Sequence, residues 1–447
     1  MPTATNGVAA VPEPVTPARG ITGAGLAATP TRPHMVVIIW LGVIFHSMAL
    51  IHQLPSRITQ FDFSTYYASA LALHENLDPY TTDLESVGGG LGLEIDPIHY
   101  ATDPPTFLLM IEPLARMLLR RAFWVWNGLN LAALIAAVIL LLYGSSLDTR
   151  LKWALAALAL LYAPVGEHFF YAQNKILVLF LLAAMMRCME RRHDAAAGLI
   201  LGFAGAIRGF PLLLAGYLFM QRRTRALVWT GAGLALCGLV TVALLGVHQT
   251  LSFSHGLFFV TRDRFLVIPI NISLGAFISR LFWYSYTPTP GSAMELIRRV
   301  VVALAELGLV TLTVRATLRV KPGGDTGSRA FSLWVMTSVL LSPTAWVHYL
   351  VMALIPFALL ADAVNRGRAS HRALWIAVAS YVVVALSTSG RALFGPQATS
   401  AIAIAVAECS FLSLLMVYVA AYWFVTDRGN AVSNPAAQQP GIASASP

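Results

Sequence analysis

From Met35 to Leu54 the chain reads MVVIIWLGVIFHSMALIHQL, without a lysine, arginine, aspartate or glutamate. A helix of that length, rising about 1.5 Å per residue, reaches across the roughly 30 Å hydrocarbon core of a bilayer. Apolar runs of similar character recur at about 106–119, 122–143, 152–164, 174–188, 195–220, 226–247, 264–282, 296–319, 330–342, 345–362, 372–390 and 400–425. In lipid every backbone N–H and C=O must be satisfied internally, so such a series can only become helices. Only 11% of the residues are charged and the mean hydropathy is +0.69, whereas a soluble domain carries about a quarter charged residues. The expected fold class is an all-α polytopic membrane protein with about eleven to thirteen transmembrane helices, several of them short enough to be broken or re-entrant.

The first 34 residues are rich in Pro, Thr, Ala and Gly. They are expected to be a disordered cytoplasmic tail rather than a cleavable signal peptide. Residues 35–428 then form the membrane domain, with 55–105 as its first extracytoplasmic loop, and 429–447 form a second disordered tail. Cys188, Cys237 and Cys409 are isolated, which argues against disulfides or a cysteine metal site. The formal net charge of +9 comes from basic residues spread over short loops, so it reads as a topology signal and not as a nucleic-acid surface.

That signal sets the orientation. Arg187, Arg191 and Arg192, then Arg222, Arg223 and Arg225, then Arg319, Lys321 and Arg329, then Arg366, Arg368 and Arg372 fall in loops expected on the cytoplasmic side. Phe61–Pro113 holds nine acidic residues and no lysine or arginine, so it belongs on the opposite face. Counting 106–119, 122–143 and 152–164 all as full spans breaks this alternation, so one of the three dips in and returns. Threaded this way, "PVGEHFFYAQNK", "AIRGFP", "FVTRDRF", "PINISLG", "SPTAWVHY" and "STSGRALFG" all gather on the acidic side. Polar islands at one depth point to a lined cavity near the outer membrane surface.

Each island admits two readings. In "FDFSTYYASALALHENLDPY", Ser64 can cap an amphipathic helix lying on the membrane, carrying Tyr66 and stopping at Pro79. Asp62 is then either a flanking charge that favours the helix dipole or a carboxylate that accepts a proton from a hydroxyl. Arg208, inside an apolar stretch before Gly209 and Pro211, needs a partner: a structural ion pair, or a phosphate that its guanidinium grips. Arg262, Arg264 and Lys175 are cations of the same kind that also snorkel readily. His348, beside Trp346 and Tyr349, is a hydrogen-bonded structural histidine or a base, with Trp346 offering an aromatic face to a sugar. Glu167, His168, Gln173, Asn174, Asn271 and Ser273 can bind hydroxyls or simply cap helices. No Walker loop, GxGxxG, HExxH or GxSxG motif is present, which leaves ATP-driven pumping, dinucleotide chemistry, zinc proteolysis and nucleophile-elbow hydrolysis without support. Asp83-Leu84-Glu85 and Glu94-Ile95-Asp96 resemble acidic metal-binding pairs only weakly, since loop acids at that spacing are commoner than metal sites.

Taken in order, "FDFSTYYASALALHENLDPY", "ATDPPTFLLMIEPLARML", the stretch from "YAQNKILV" through "GAIRGFPLLL" to "FMQRR", "PINISLGAF" and "SPTAWVHYLVMALIPF" resemble glycosyltransferase family 87. This family comprises polyprenol-phosphate-dependent transferases of the GT-C superfamily and includes α-(1→2)-mannosyltransferases. The resemblance implies a GT-C fold whose first extracytoplasmic loop bears an essential acid, matched by Asp62, together with amphipathic helices. It implies a donor-phosphate cation at Arg208, assisted by Arg262, Arg264 or Lys175, and acceptor activation at His348. It leaves Tyr66, Glu167, His168, Gln173, Asn174, Asn271, Trp346 and Tyr349 to bind sugar or acceptor. "AQNK" stands where the family commonly has Gly-Gln-Asn-Ser, and Gly209 and Phe210 separate Arg208 from the proline.

The expected function is therefore transfer of a sugar from a polyprenyl-phosphate donor to a lipid or glycan hydroxyl on the extracytoplasmic face of a bacterial plasma membrane, with inversion. Its partners are the donor, the acceptor and membrane lipids. Because the leaving group is already a phosphate, cationic side chains are expected to serve without a metal or other cofactor. The rival is a transporter or flippase, which inverted internal repeats would favour.

Overall fold

The computed structural model describes residues 33–95, 99–260, 268, 270–283, 291–321, 327–394 and 401–427. Apart from Pro33 and His34, which open the first helix, the expected tails lie outside them, as do Arg262 and Arg264. In chain order the helices begin with α1 (Pro33–Gln53), α2 (Phe61–His74), α3 (Leu84–Gly88), α4 (Pro105–Ile111), α5 (Leu119–Leu142), α6 (Thr149–Leu161) and α7 (Ala163–Phe170). They continue with α8 (Lys175–Glu190), α9 (Asp194–Ile207), α10 (Leu214–Met220) and α11 (Thr224–Val260). The remainder are α12 (Leu274–Trp283), α13 (Ala293–Thr317), α14 (Gly327–Leu340), α15 (Leu354–Asn365), α16 (His371–Phe394) and α17 (Ala401–Thr426). No strand occurs among the described residues; one isolated bridge joins Asn271 to Trp346.

The chain is an all-α polytopic membrane protein. Seven helices among the described residues are long and apolar enough to cross a membrane, or eight if α6 and α7, bent by 47°, make one span. The higher number expected from sequence also counts shorter apolar helices, such as Asp194–Ile207 and Phe210–Met220. The run at 106–119 is α4 followed by the 3-10 turn Glu112–Arg116, and a seven-residue helix covers only about 10 Å.

Glycines decide two features. Gly198 and Gly202 on α9 meet Thr230 and Gly233 on α11 so closely that a Cβ on Gly202 would lie 3.0 Å from the Cα of Gly233. Small residues spaced this way let membrane helices approach backbone to backbone. Gly246, at φ 80 and ψ 165, sits in a region open almost only to glycine and breaks α11. Beyond that break Gly256 packs against the backbone of Ala101 and Thr102, so the end of α11 braces the loop before α4.

The first loop corrects one expectation. Helix α2 does not lie on a membrane surface; Phe63–Ala70 are all buried, enclosed by α3, α4, α5 and the turn Glu112–Arg116. It starts at Phe61, with Gln60 as the residue before it, so Ser64 is internal and fully buried rather than a cap, and Asp62 lies inside the first turn. It also stops earlier than Pro79, at His74, where Glu75 N–H bonds back to the Leu71 carbonyl and Asn76 turns left-handed at φ 59. Similarly, Ser387 joins no cavity: it lies in α16 and hydrogen-bonds Ser410 of α17 at 2.7 Å.

Three apolar clusters result, the smallest joining α15, α16 and α17 through Leu360, Ala373 and Phe424. Of the two larger, one joins α5 and α8 to α14, α15 and α17, and the other lies under the first loop. Ala172 and Ile207 belong to the second core and Ile176 to the first, so the corner before α8 and the end of α9 stand where the two meet.

Candidate functional site

Helix α9 ends at Ile207, and Arg208 turns extended at φ −148, ψ 126. Pro211 cannot donate to a continuing helix. The chain instead folds back through the 3-10 turn Phe210–Leu213, and the missing side chain of Gly205 admits Leu212 against α9. This break leaves the guanidinium of Arg208 aimed inward. Its Nη2 lies 2.5 Å from Oδ1 of Asp103 and 3.3 Å from the Tyr66 hydroxyl, and its Nε donates to Asn174 Oδ1 at 3.0 Å.

The corner Ala172–Lys175 supplies the other side. Ala172 is left-handed at φ 47, a conformation that costs a non-glycine residue about 1 kcal/mol, and Trp126 Nε1 holds its carbonyl at 2.7 Å. The turn presents Gln173 and Asn174, both buried. Lys175 Nζ donates to Gln173 Oε1 at 2.8 Å and Asn174 Oδ1 at 2.9 Å, and it sits 4.9 Å from the centre of the Tyr349 ring. Tyr66 donates to Gln173 Oε1 at 3.2 Å. The amide Nδ2 of Asn174 is buried and has no hydrogen-bond partner among the described residues.

Asp62 stands one turn before Tyr66 on α2 and shares its face; its carboxylate acts electrostatically on Tyr66, Lys175 and Tyr349. Burial, followed by the Asp103 carboxylate, holds the Tyr66 phenol well above its usual range, so it works as a neutral O–H donor. Two carboxylates and two cations thus meet around one tyrosine.

The sequence candidates divide. Asp62, Tyr66, Gln173, Asn174, Lys175, Arg208 and Tyr349 come together. His348 stacks on Tyr349 with ring centres 5.5 Å apart, at the edge of the group. His168 points elsewhere, its Nε2 3.1 Å from Asn130 Oδ1 between α7 and α5, with Glu167 half-buried beside it. Asn271 ties two loops together: its Oδ1 accepts from the backbone N–H groups of Ser273 and Ala345, and its Nδ2 donates to the Pro343 carbonyl. Trp346 is its bridge partner. The sequence reading did not single out Asp103. Its signal was an acid followed by two prolines, in a stretch without basic residues, in a chain whose buried arginine needed a counter-ion.

Arg208 and Tyr349 open onto a cavity of about 370 Å³, whose wall is mostly apolar through Phe210, Leu213, Phe253, Leu257 and Leu341. Arg208 lines that cavity, and its contacts with Asn174, Tyr66 and Asp103 run through Nε and Nη2. A larger cleft of about 630 Å³, between Gly367 and Asp427, contains none of the candidate residues. Separately, Asp83, Glu85 and His99 bring one ligand atom each within 4.8 Å of one another, a spacing a divalent cation can use; Asp83 also caps α3.

A family model, Glycosyltransferase family 87, matches residues 101–343, more than half of the chain and the span that carries Asp103, Gln173–Lys175 and Arg208. The chain belongs to glycosyltransferase family 87. It is a membrane glycosyltransferase. A curated relative, the polyprenol-phosphate-mannose-dependent alpha-(1-2)-phosphatidylinositol mannoside mannosyltransferase of Mycolicibacterium smegmatis, is 25% identical over 357 residues, covering 74% of this chain and 76% of the relative. No solved structure matches. Asp62 and His348 both fall outside the matched span, on either side of it.

Proposed function

We propose that this transferase moves a sugar from a polyprenyl-phosphate donor to a hydroxyl of a lipid or glycan acceptor on the extracytoplasmic face of the bacterial plasma membrane. One observation carries the reading: a half-buried guanidinium, fixed through Nε and Nη2, lines a cavity with a mostly apolar wall. That pairing suits a ligand that is anionic at one point and hydrocarbon beyond it. The name of the mycobacterial relative makes mannose the first sugar to test.

In this mechanism Arg208 holds the donor phosphate while Gln173, Asn174 and Tyr66 set the sugar. The acceptor oxygen bonds to the anomeric carbon as the bond to the phosphate oxygen breaks. Asp62 takes the acceptor proton, and polyprenyl phosphate leaves with one more negative charge, which the cations stabilise. A single displacement inverts the anomeric configuration. His348, which stacks on Tyr349, shares in orienting the hydroxyl.

The test is to incubate purified protein with radiolabelled polyprenyl-phosphate sugars and a membrane acceptor extract. Donor consumption is expected, and Asp62→Asn combined with His348→Ala should abolish it. Full turnover by that double variant overturns the assignment.

A further inference from the structure

Asp103 is 4% exposed, and its carboxylate is the nearest anion to Arg208. It cannot easily leave. Its backbone carbonyl accepts the hydroxyl of Tyr80 at 2.8 Å, Tyr80 is itself 1% exposed, and Pro104 and Pro105 lead directly into α4. Ala101 N–H bonds the Pro79 carbonyl at 2.8 Å on the other side. A carboxylate fixed beside a group that grips an anion weakens the grip, so its presence needs a reason.

The charges of donor and product supply one. A phosphodiester donor carries one negative charge, whereas the released phosphate monoester carries about 1.5 to 2 at neutral pH. A bare guanidinium in a low-dielectric site would hold that product much more tightly than the donor. We propose that Asp103 is a positioning and counter-charge residue: it holds Nη2 of Arg208 beside the cavity and keeps the site from retaining the dianionic polyprenyl phosphate. The inference rests on reading Arg208 as the phosphate clamp.

The experiment uses the full chain in lipid nanodiscs and measures KM for polyprenyl-phosphate-mannose and Ki for polyprenyl phosphate. Asp103→Asn is expected to lower Ki about tenfold and KM by clearly less, because the dianion feels the lost carboxylate about twice as strongly as the monoanion does. Progress curves then flatten earlier. Asp103→Glu keeps the wild-type ratio of KM to Ki, and Arg208→Gln raises both constants. An Asp103→Asn ratio equal to or below that of the wild type overturns the counter-charge role, since a purely structural lesion weakens both ligands. If Arg208→Gln leaves Ki unchanged, the clamp reading itself fails, which separates the two failures. The wild type alone also decides: polyprenyl phosphate should bind no more than about threefold tighter than its methyl diester, and a preference of about a hundredfold contradicts the inference.

Discussion

Lys175 is buried to 1% exposure without a carboxylate in hydrogen-bonding contact, its ammonium shared between two amide oxygens and the face of Tyr349. Those contacts use its donors inward, so under the proposed mechanism it orients Gln173 and Asn174 while Arg208 meets the donor phosphate. Asp62→Asn should lower kcat by about 10²- to 10⁴-fold, the range of a lost general base, with the thermal midpoint unchanged because Asp62 is only half-buried. Tyr66→Phe removes a hydroxyl that links Arg208 to Gln173. It should cost about 1–2 kcal/mol of stability by denaturant titration, the scale of one buried hydrogen bond with an orphaned partner. Much of this site was legible: an arginine in an apolar stretch announces a partner. Asp103 was not, because pairing across distant parts of the chain leaves no local periodicity. The left-handed φ of Ala172 is a conformation that suits glycine, a constraint visible only once φ is known.

At the scale of elements, the glycine seam between α9 and α11 is the most sensitive packing surface. Gly202→Leu would drive a side chain into the backbone of Thr230 and Gly233, and it should destabilise the protein by about 3 kcal/mol or more in a denaturation series. Gly246→Ala should cost about 1–3 kcal/mol, because its backbone conformation excludes a Cβ. Long charge-free runs were readable as spans because length and hydropathy are local properties. Helix α2 was misread for the opposite reason: its mix of Ser, Thr, Tyr and Ala suits a half-exposed surface, and only the arrival of α4, α5 and the turn Glu112–Arg116 buries it on all sides. For Asn271 the sequence offered a hydroxyl-binding amide or a helix cap and could not show its bonds to Pro343 and Ala345, because that loop lies far along the chain.

At the scale of the whole molecule, the membrane class follows from composition and the family from the matched span, whereas the placement of the site on the acid-rich face is a claim about orientation. In a cysteine-free background, Glu85→Cys should react with an impermeant maleimide in intact cells and Arg222→Cys only after permeabilisation; the reverse pattern would invert the topology. The central claim concerns the donor, and one measurement addresses it most directly. Purified protein in proteoliposomes is given radiolabelled mannose on polyprenyl phosphate or on a nucleotide, with the same membrane acceptor extract. The account predicts label in the acceptor from the polyprenyl-phosphate donor alone, lost in Arg208→Gln; transfer from the nucleotide sugar, or undiminished transfer by that variant, would contradict it.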